Sequence, residues 1–227
     1  MAGGLSVIAT ANQIAGIGMT SQRTRNRMCD RLEERGIEDQ RVIDTMRSVP
    51  RHLFVDEAFA TRAYEDDALP IGEGQTISAP WVVARMTEAL LESGPVHRVL
   101  EVGTGSGYQA AVLSQLVDAV FTVERIQLLL DRARRRFAAL QYRNIHSRYS
   151  DGSWGWGSNG PYDGIVVTAA PAKVPEPLLD QLAIGGRMVV PVGSQKQALT
   201  VITRTKTGFQ TQEISAAKFV PFLPGKS

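Results

Sequence analysis

The apolar positions of this chain change rhythm near residue 98. Before it they fall at helical spacing. Residues 23 to about 35 are sparse in apolar side chains, rich in charge and closed by Gly36, which predicts an exposed amphipathic helix. Residues 40–47 predict a second short helix stopped by Pro50, and residues 81–91 a third. Between them residues 68–80 (ALPIGEGQTISAP) hold two glycines and two prolines, no sustained period and little charge. That composition predicts a loop lying against a ligand or a core face.

Beyond residue 98, short β-branched runs at 98–102, 120–124, 144–149, 164–168 and 187–192 alternate with helical stretches at 108–116, 127–140 and 176–183. Apolar strands separated by helices indicate a parallel sheet covered on both faces. Residues 199–205 and 209–214, joined through 206–208, predict a β-hairpin. The expected fold is α/β: a doubly wound, mainly parallel, Rossmann-like sheet with an N-terminal helical and loop cap and a C-terminal β-hairpin. One domain is expected over residues 20–227, with the cap and substrate loop in 20–95 and the cofactor-binding core in 96–227. Residues 1–19 are expected to be a disordered leader. A secretory signal is disfavoured, because no Lys or Arg precedes the apolar run and Asn12, Gln13 and several glycines interrupt it. No stretch reaches the ~18 apolar residues of a membrane span.

Composition narrows the classes. The chain has 227 residues, 43% hydrophobic and 21% charged, enough to bury a core without disulfides, metals or obligatory partners. Cys29 is the only cysteine, so no intrachain bridge can form, and His52, His97 and His146 show no metal-ligand spacing. A reduced, metal-free, cytoplasmic protein is expected. The net charge of +2 is too small to argue for nucleic acid or a membrane surface as partner.

Chemistry concentrates in RVLEVGTGSGYQAAVL, where an apolar strand runs into Gly103, Gly105 and Gly107 and a helix follows. Glycines there let the backbone turn sharply and approach a ligand at a helix N-terminus. The spacing G-x-G-x-G differs from the dinucleotide fingerprint G-x-G-x-x-G. Glu101, at the strand tip, repels a pyrophosphate but suits a sulfonium and an ammonium. Glu124 closes the next strand, where a carboxylate can take both hydroxyls of a ribose. Asp151 and Gly152 follow the third strand, and Asp151 can reach an adenine amino group. Singly, Glu101 reads as a strand-end salt bridge, Glu124 as a partner of Arg125 and Asp151-Gly152 as a turn. Jointly they describe a cradle for S-adenosyl-L-methionine.

The blocks PRHLFVDEAF (50–59), ALPIGEGQTISAP (68–80), VLEVGTGSGYQ (99–109), VERI (123–126), YDGIVVTAA (162–170), GGRMVVPVG (185–193) and FVP (219–221) make the chain resemble the bacterial protein-L-isoaspartate (D-aspartate) O-methyltransferases over residues 20–221. The resemblance implies a class I S-adenosylmethionine-dependent fold. It also implies methyl transfer to the α-carboxylate of L-isoaspartyl residues in damaged proteins and peptides, with S-adenosyl-L-homocysteine as product. The ester then closes to a succinimide, which starts repair. Ser78 takes the family's catalytic position, and Thr76, Ser78 and Ala79 its substrate contacts. A carboxylate with a pKa near 4 is already ionised and needs no general base. The site's task is placement and desolvation, for which the Thr76 and Ser78 hydroxyls suit. Ser78 also reads as a cap for the helix beginning near Trp81. Two positions depart from the family pattern: Ala79, where many bacterial members have Gln, and Ser150, where the acidic loop usually reads G-D-G. A glycine needed there for positive φ would leave Ser150 strained.

A monomer is expected, without nucleic acid or membrane partners. The alternative is a methyltransferase of the same fold acting on a nucleic acid or small molecule, against which the TISAP block argues. Three further signals are read as structural. Arg132, Arg134, Arg135 and Arg136 form a solvated helix face opposite Leu129, Ala133, Phe137 and Leu140. Trp154 and Trp156 pin a loop, and His52 packs at a helix terminus.

Overall fold

The computed structural model describes residues 8–92 and 94–227. Its N-terminal cap comprises helices α1 (Ala11–Ala15), α2 (Gln22–Glu34) and α3 (Gln40–Ser48), a hairpin of β1 (Leu69–Gly72) and β2 (Gln75–Ile77), and helix α4 (Pro80–Leu91). Met28, Cys29 and Leu32 on α2, and Val42, Ile43 and Met46 on α3, recur at helical spacing and are buried. Asp39 caps α3 by accepting from the Arg41 N–H at 2.9 Å, and Asp66 accepts from Trp81 N–H at 2.8 Å at the start of α4.

The expected disordered leader needs correction. Residues 1–7 lie outside the described residues, but α1 forms within the rest, with Thr10 and Gln13 making a reciprocal capping box. Its carbonyls are met from the body of the protein. His52 Nε2–H donates to Gln13 O at 2.8 Å, and Arg25 Nη2 donates to Ile14 O at 2.7 Å. Ala9 N–H donates to Ala139 O at 2.9 Å. An uncharged, glycine-containing segment offers little local signal, so its order comes from these tertiary bonds.

Residues 68–80 are likewise more regular than a loop. Leu69 and Ile71 point inward in β1, which pairs antiparallel with β2 in the register Leu69↔Ile77, Pro70↔Thr76 and Gly72↔Gln75. The two turn residues, Glu73 and Gly74, both have positive φ (53° and 66°). Such mirror-image turns match the right-handed twist of a hairpin. Glu-Gly is a weaker signature than Asn-Gly, and strands of three and four residues carry little pattern.

The core is a seven-stranded sheet of β3 (Arg98–Val102), β4 (Ala119–Glu124), β5 (Ile145–Tyr149), β6 (Tyr162–Val167), β7 (Leu182–Val192), β8 (Gln197–Thr205) and β9 (Gly208–Ala217), in the order β5-β4-β3-β6-β7-β8-β9. The first five run parallel; β8 and β9 complete the edge antiparallel. Alternate strand residues divide between two cores. Val99, Val120, Val166 and Val189 pack with α4, α5 (Tyr108–Ser114), α6 (Gln127–Ala139) and the cap helices. Leu100, Val102, Val123, Ile165 and Val190 face the other way, toward α7 (Glu176–Asp180) and Trp156. The doubly wound expectation holds, with a correction in α7. This helix ends at Asp180, three residues before the predicted end, and β7 starts five residues early. Gly185 and Gly186 mask this part of the strand, although Leu182 is buried and pairs with Tyr162.

Candidate active site

The chain enters the sheet at β3, builds β4 and β5 on one side, then returns to build β6 and β7 on the other. Ligands of such sheets bind outside the carboxyl ends of the strands at this reversal. Here lies a cleft enclosing about 870 Å³, open mouth included. Its walls are the glycine loop at 103–106, residues 75–78 of the hairpin, residues 124–126, Thr168-Ala169 and the tail at 220–223.

Gly103, Gly105 and Gly107 all hold positive φ (98°, 52° and 88°), so each expected glycine is required by the backbone. Two also permit close packing. A Cβ at Gly103 would sit 2.3 Å from the Thr168 hydroxyl oxygen, and one at Gly107 2.6 Å from the Phe137 ring. At Gly105 it would meet only Ile71 at 3.5 Å. Thr168, one residue beyond β6, donates its hydroxyl to Gly103 O at 2.7 Å and fixes the loop's entry.

Glu101 is fully buried in β3 and borders the cleft. Its Oε2 accepts from the Thr122 hydroxyl, which in turn is 2.6 Å from the Thr104 hydroxyl. Its Oε1 is buried with no partner. Burial pushes the carboxyl up to about 8; the Thr122 bond and the Ala110 backbone N–H oppose this, and the nearby Glu124 charge adds to it.

Glu124, at the end of β4, is more constrained than expected. Oε2 accepts from Gly105 N–H at 2.8 Å, and Oε1 from Arg125 and Ile126 N–H at 2.8 and 2.9 Å. The carboxylate thus ties the glycine loop to the start of α6. A ribose has to share it with these three donors.

Asp151 departs from expectation. It is absent from the cleft walls, and its carboxylate faces the chain itself. Oδ1 accepts from Ser153 N–H at 2.8 Å and Oδ2 from Gly225 N–H at 2.7 Å. Its neighbour Gly152 does line the cleft, where a Cβ would come within 2.6 Å of Val102. Ser150 is unstrained, since the residues other than glycine with positive φ are Glu73 and Gln141 among the described residues.

Thr76 and Ser78 line the cleft, and among the described residues neither hydroxyl is hydrogen-bonded. Ser78 does not cap α4; the cap position is Ala79, which lies off the cleft wall, and Asp66 supplies the side-chain acceptor. The Ser78 carbonyl accepts from Arg51 Nη2 at 2.8 Å.

Sequence reading missed Thr104, Thr122, Thr168 and the tail. The tail had a signal in FVP, and the structure explains it: Ala170 N–H donates to Val220 O, and Phe222 N–H donates back to Ala170 O, which lays the tail along the cleft. The basic run on α6 also does more than face solvent. Arg132 donates to Ile71 O of the hairpin, Arg136 to Ser106 O of the glycine loop and Arg134 to Ser147. Trp156 packs edge-on against Phe121, whereas Trp154 is exposed. His52 is buried and its Nδ1 accepts from the Tyr64 hydroxyl at 2.8 Å, so the packing expectation stands.

The donor set suits S-adenosyl-L-methionine. An orphaned buried carboxylate oxygen borders the cleft where a cationic group is wanted, and the glycines keep the loop free of side chains. No helix is long and apolar enough to cross a membrane, and no group of three or more His, Cys, Asp or Glu is placed to hold a metal, among the described residues.

The family described as protein-L-isoaspartate(D-aspartate) O-methyltransferase matches residues 22–227. The protein-L-isoaspartate O-methyltransferase of Halorhodospira halophila is 59% identical over 213 residues, 93% of this chain and 97% of the relative. That of Ectopseudomonas mendocina is 59% identical over 208 residues, covering 91% and 99%. Among solved structures, a protein-L-isoaspartate O-methyltransferase superposes with TM-score 0.80 at 28% identity, over 87% of this chain and 65% of the other. A Plasmodium falciparum protein described as an isoaspartate methyltransferase, in complex with S-adenosyl-L-homocysteine, gives TM-score 0.78 at 26% identity, covering 88% and 98%.

Proposed function

The chain belongs to the protein-L-isoaspartate(D-aspartate) O-methyltransferase family, and from that premise we propose which of its residues perform the reaction. The enzyme methylates L-isoaspartyl residues of proteins and peptides using S-adenosyl-L-methionine. The observation that carries the assignment of residues is that the hairpin segment with Thr76 and Ser78 and the glycine loop, some twenty-five residues on, wall one cleft.

When bound, S-adenosyl-L-methionine supplies a sulfonium methyl and leaves as S-adenosyl-L-homocysteine. Glu101 would hold its cationic part, using the oxygen that Thr122 leaves free. Gly103, Gly105 and Gly107 give it backbone without side chains. Glu124 would take the ribose while keeping the loop closed through Gly105. Gly152, packed against Val102 and Phe222 where no side chain would fit, would border its base end, with Asp151 holding the tail behind it.

The acceptor carboxylate arrives ionised, so no residue has to remove a proton. Ser78 would donate its free hydroxyl to one carboxylate oxygen and leave the other free to react; Thr76 is exposed on the same wall. Neutral donors orient the anion without holding it as tightly as a lysine would. Residues 75–78 and 220–223 narrow the cleft and strip water from the anion, which raises its reactivity. The methyl ester formed then closes to a succinimide, as the following backbone amide nitrogen attacks its carbonyl and methanol leaves.

The same reading takes residues 20–227 as one methyltransferase domain, its cap (20–95) sharing a core with the cofactor-binding part (96–227). It takes the protein to work in the cytoplasm as a monomer without nucleic acid, which the single cysteine and the small net charge support.

Paired peptides test the assignment. Base-labile methyl label is expected in an isoaspartyl peptide and not in its aspartyl counterpart. Ser78→Ala is expected to lose transfer while keeping affinity for S-adenosyl-L-homocysteine. Equal labelling of both peptides, or full activity in Ser78→Ala, sinks it.

A further inference from the structure

Directly behind the cleft wall stands a charged group that the mechanism above does not use. Arg51 opens the 3-10 turn Arg51–Phe54 and is fully buried. Nε donates to Ala63 O at 2.7 Å and Nη2 to Ser78 O at 2.8 Å. The guanidinium lies over the ring of Tyr108, 4.8 Å from its centroid, and Tyr108 itself lines the cleft. Nη1 is buried with no partner. Among the described residues no carboxylate pairs with this arginine.

A buried cation is normally matched by an anion, because its desolvation is otherwise uncompensated. Burial lowers the Arg51 pKa only to about 10, so the charge persists at neutral pH. Two carbonyls and the Tyr108 side chain, through its ring face and its hydroxyl, stabilise it in part, but none of them carries a negative charge at neutral pH. A neutral side chain making the same two contacts would avoid the cost. The arginine is explained if an anion comes close behind the same wall during turnover, and on the reading above the acceptor carboxylate is that anion, since it is brought to Ser78, whose carbonyl this guanidinium holds.

We propose that Arg51 is a positioning residue for methyl transfer, whose buried charge is completed by the acceptor carboxylate and whose Nη2 fixes the segment bearing Ser78. The inference rests on the reading of Ser78 as the residue that receives that carboxylate. Arg51 acts through the wall of the cleft and gives the site a positive potential ahead of the substrate. It therefore favours an anion over a neutral group of the same shape.

The test compares two peptides bound to the enzyme saturated with S-adenosyl-L-homocysteine: an isoaspartyl peptide and its isoasparaginyl analogue, in which a carboxamide replaces the α-carboxylate. The wild type is expected to prefer the carboxylate by about tenfold or more. Arg51→Met is expected to bring the ratio of the two dissociation constants toward one, and Arg51→Lys, which keeps a charge, to retain most of the preference. A purely structural arginine would weaken both peptides by the same factor, and an unchanged ratio in Arg51→Met overturns the proposal. Should Arg51→Met fail to melt cooperatively, Arg51→Gln, which keeps a donor toward Ser78 O without the charge, takes its place. No preference in the wild type overturns the proposal without any variant. Failure of the wild type to methylate the isoaspartyl peptide, measured on the same samples, counts instead against the reading of the site.

Discussion

The Thr122 hydroxyl donates to one oxygen of Glu101 while the other, buried against the cleft, has no partner. Half of this carboxylate is thus anchored by the protein and half is left for a ligand. Burial penalises the charged form there until a cationic ligand pairs with it.

Cofactor affinity follows from that arrangement. With the Glu101 carboxyl pushed up to about 8, chiefly by burial, the ligand-free enzyme holds a proton there at neutral pH. A cationic ligand favours the ionised form, so binding releases the proton. Affinity for S-adenosyl-L-methionine is expected to rise with pH, by at most about tenfold per unit, and to level off above about 8. Calorimetry at pH 7 in buffers of different ionisation enthalpy reads the released proton directly. Affinity that stays flat between about pH 6 and 9 contradicts it.

Stability moves in the opposite sense. The folded pKa lies above the usual 4.5, so the folded chain holds more protons than the unfolded one between these values. The contribution of Glu101 is therefore full below about 4.5 and declines as pH rises toward 8. Glu101→Gln removes an ionisation that the fold resists. It is expected to melt higher than the wild type at pH 8–9, by the equivalent of a few kcal/mol at most, while losing cofactor affinity. A lower melting temperature at alkaline pH would count against the assignment.

The same residue shows where sequence reading succeeds and where it stops. A strand running into three glycines is a local pattern, and the backbone demands all three, so the loop was legible. Glu101 was legible as an acid at a strand end, but its partner Thr122 lies on the adjacent strand, brought opposite by the register Glu101↔Thr122. The place of Asp151 after β5 suggests a side chain turned toward the ligand. Its true partner, Gly225, is 74 residues away, and nothing local announces the bond. Similarly α1 and the hairpin at 69–77 are too short to carry a period, and bonds from His52, Arg25 and Arg132 hold them. Ser150 is the converse case: a glycine was expected from the family pattern, but the backbone there needs none.

The glycines of the loop are unequal. At Gly103 an alanine meets the Thr168 hydroxyl at 2.3 Å, and that hydroxyl cannot easily yield because it is bonded to Gly103 O and Val102 O. The left-handed backbone adds strain, so Gly103→Ala is expected to cost about 2 kcal/mol or more. Gly105→Ala keeps room beside Ile71 and pays mainly the φ of 52°, about 1–2 kcal/mol. Melting curves should rank the wild type above Gly105→Ala and Gly105→Ala above Gly103→Ala. The reverse order would mean that ligand-facing space, not packing, governs this loop.

Asp151 provides the clearest contrast between two roles. Burial alone would raise its pKa, but the N–H bonds from Gly225 and Ser153 outweigh it and hold the carboxyl below 3.8. Its small contribution to stability is therefore full above about 3.8 and is lost as pH falls through the lower folded value. Removing the side chain frees Gly225 and uncaps the turn Gly152–Trp154, at a cost of ~1 kcal/mol. The tail keeps other ties, since Ser227 N–H donates to Arg125 O and Arg125 Nε donates to Gly225 O. Asp151→Ala is thus expected to loosen the cover of the cleft without opening it. Limited proteolysis within residues 218–227 should quicken, and S-adenosyl-L-homocysteine should dissociate about three- to tenfold faster, in line with one lost hydrogen bond. If Asp151 instead contacts the adenine directly, affinity falls with no change in proteolysis of the tail. The two measurements on one variant therefore separate a residue that holds the ligand from one that holds the strap over it.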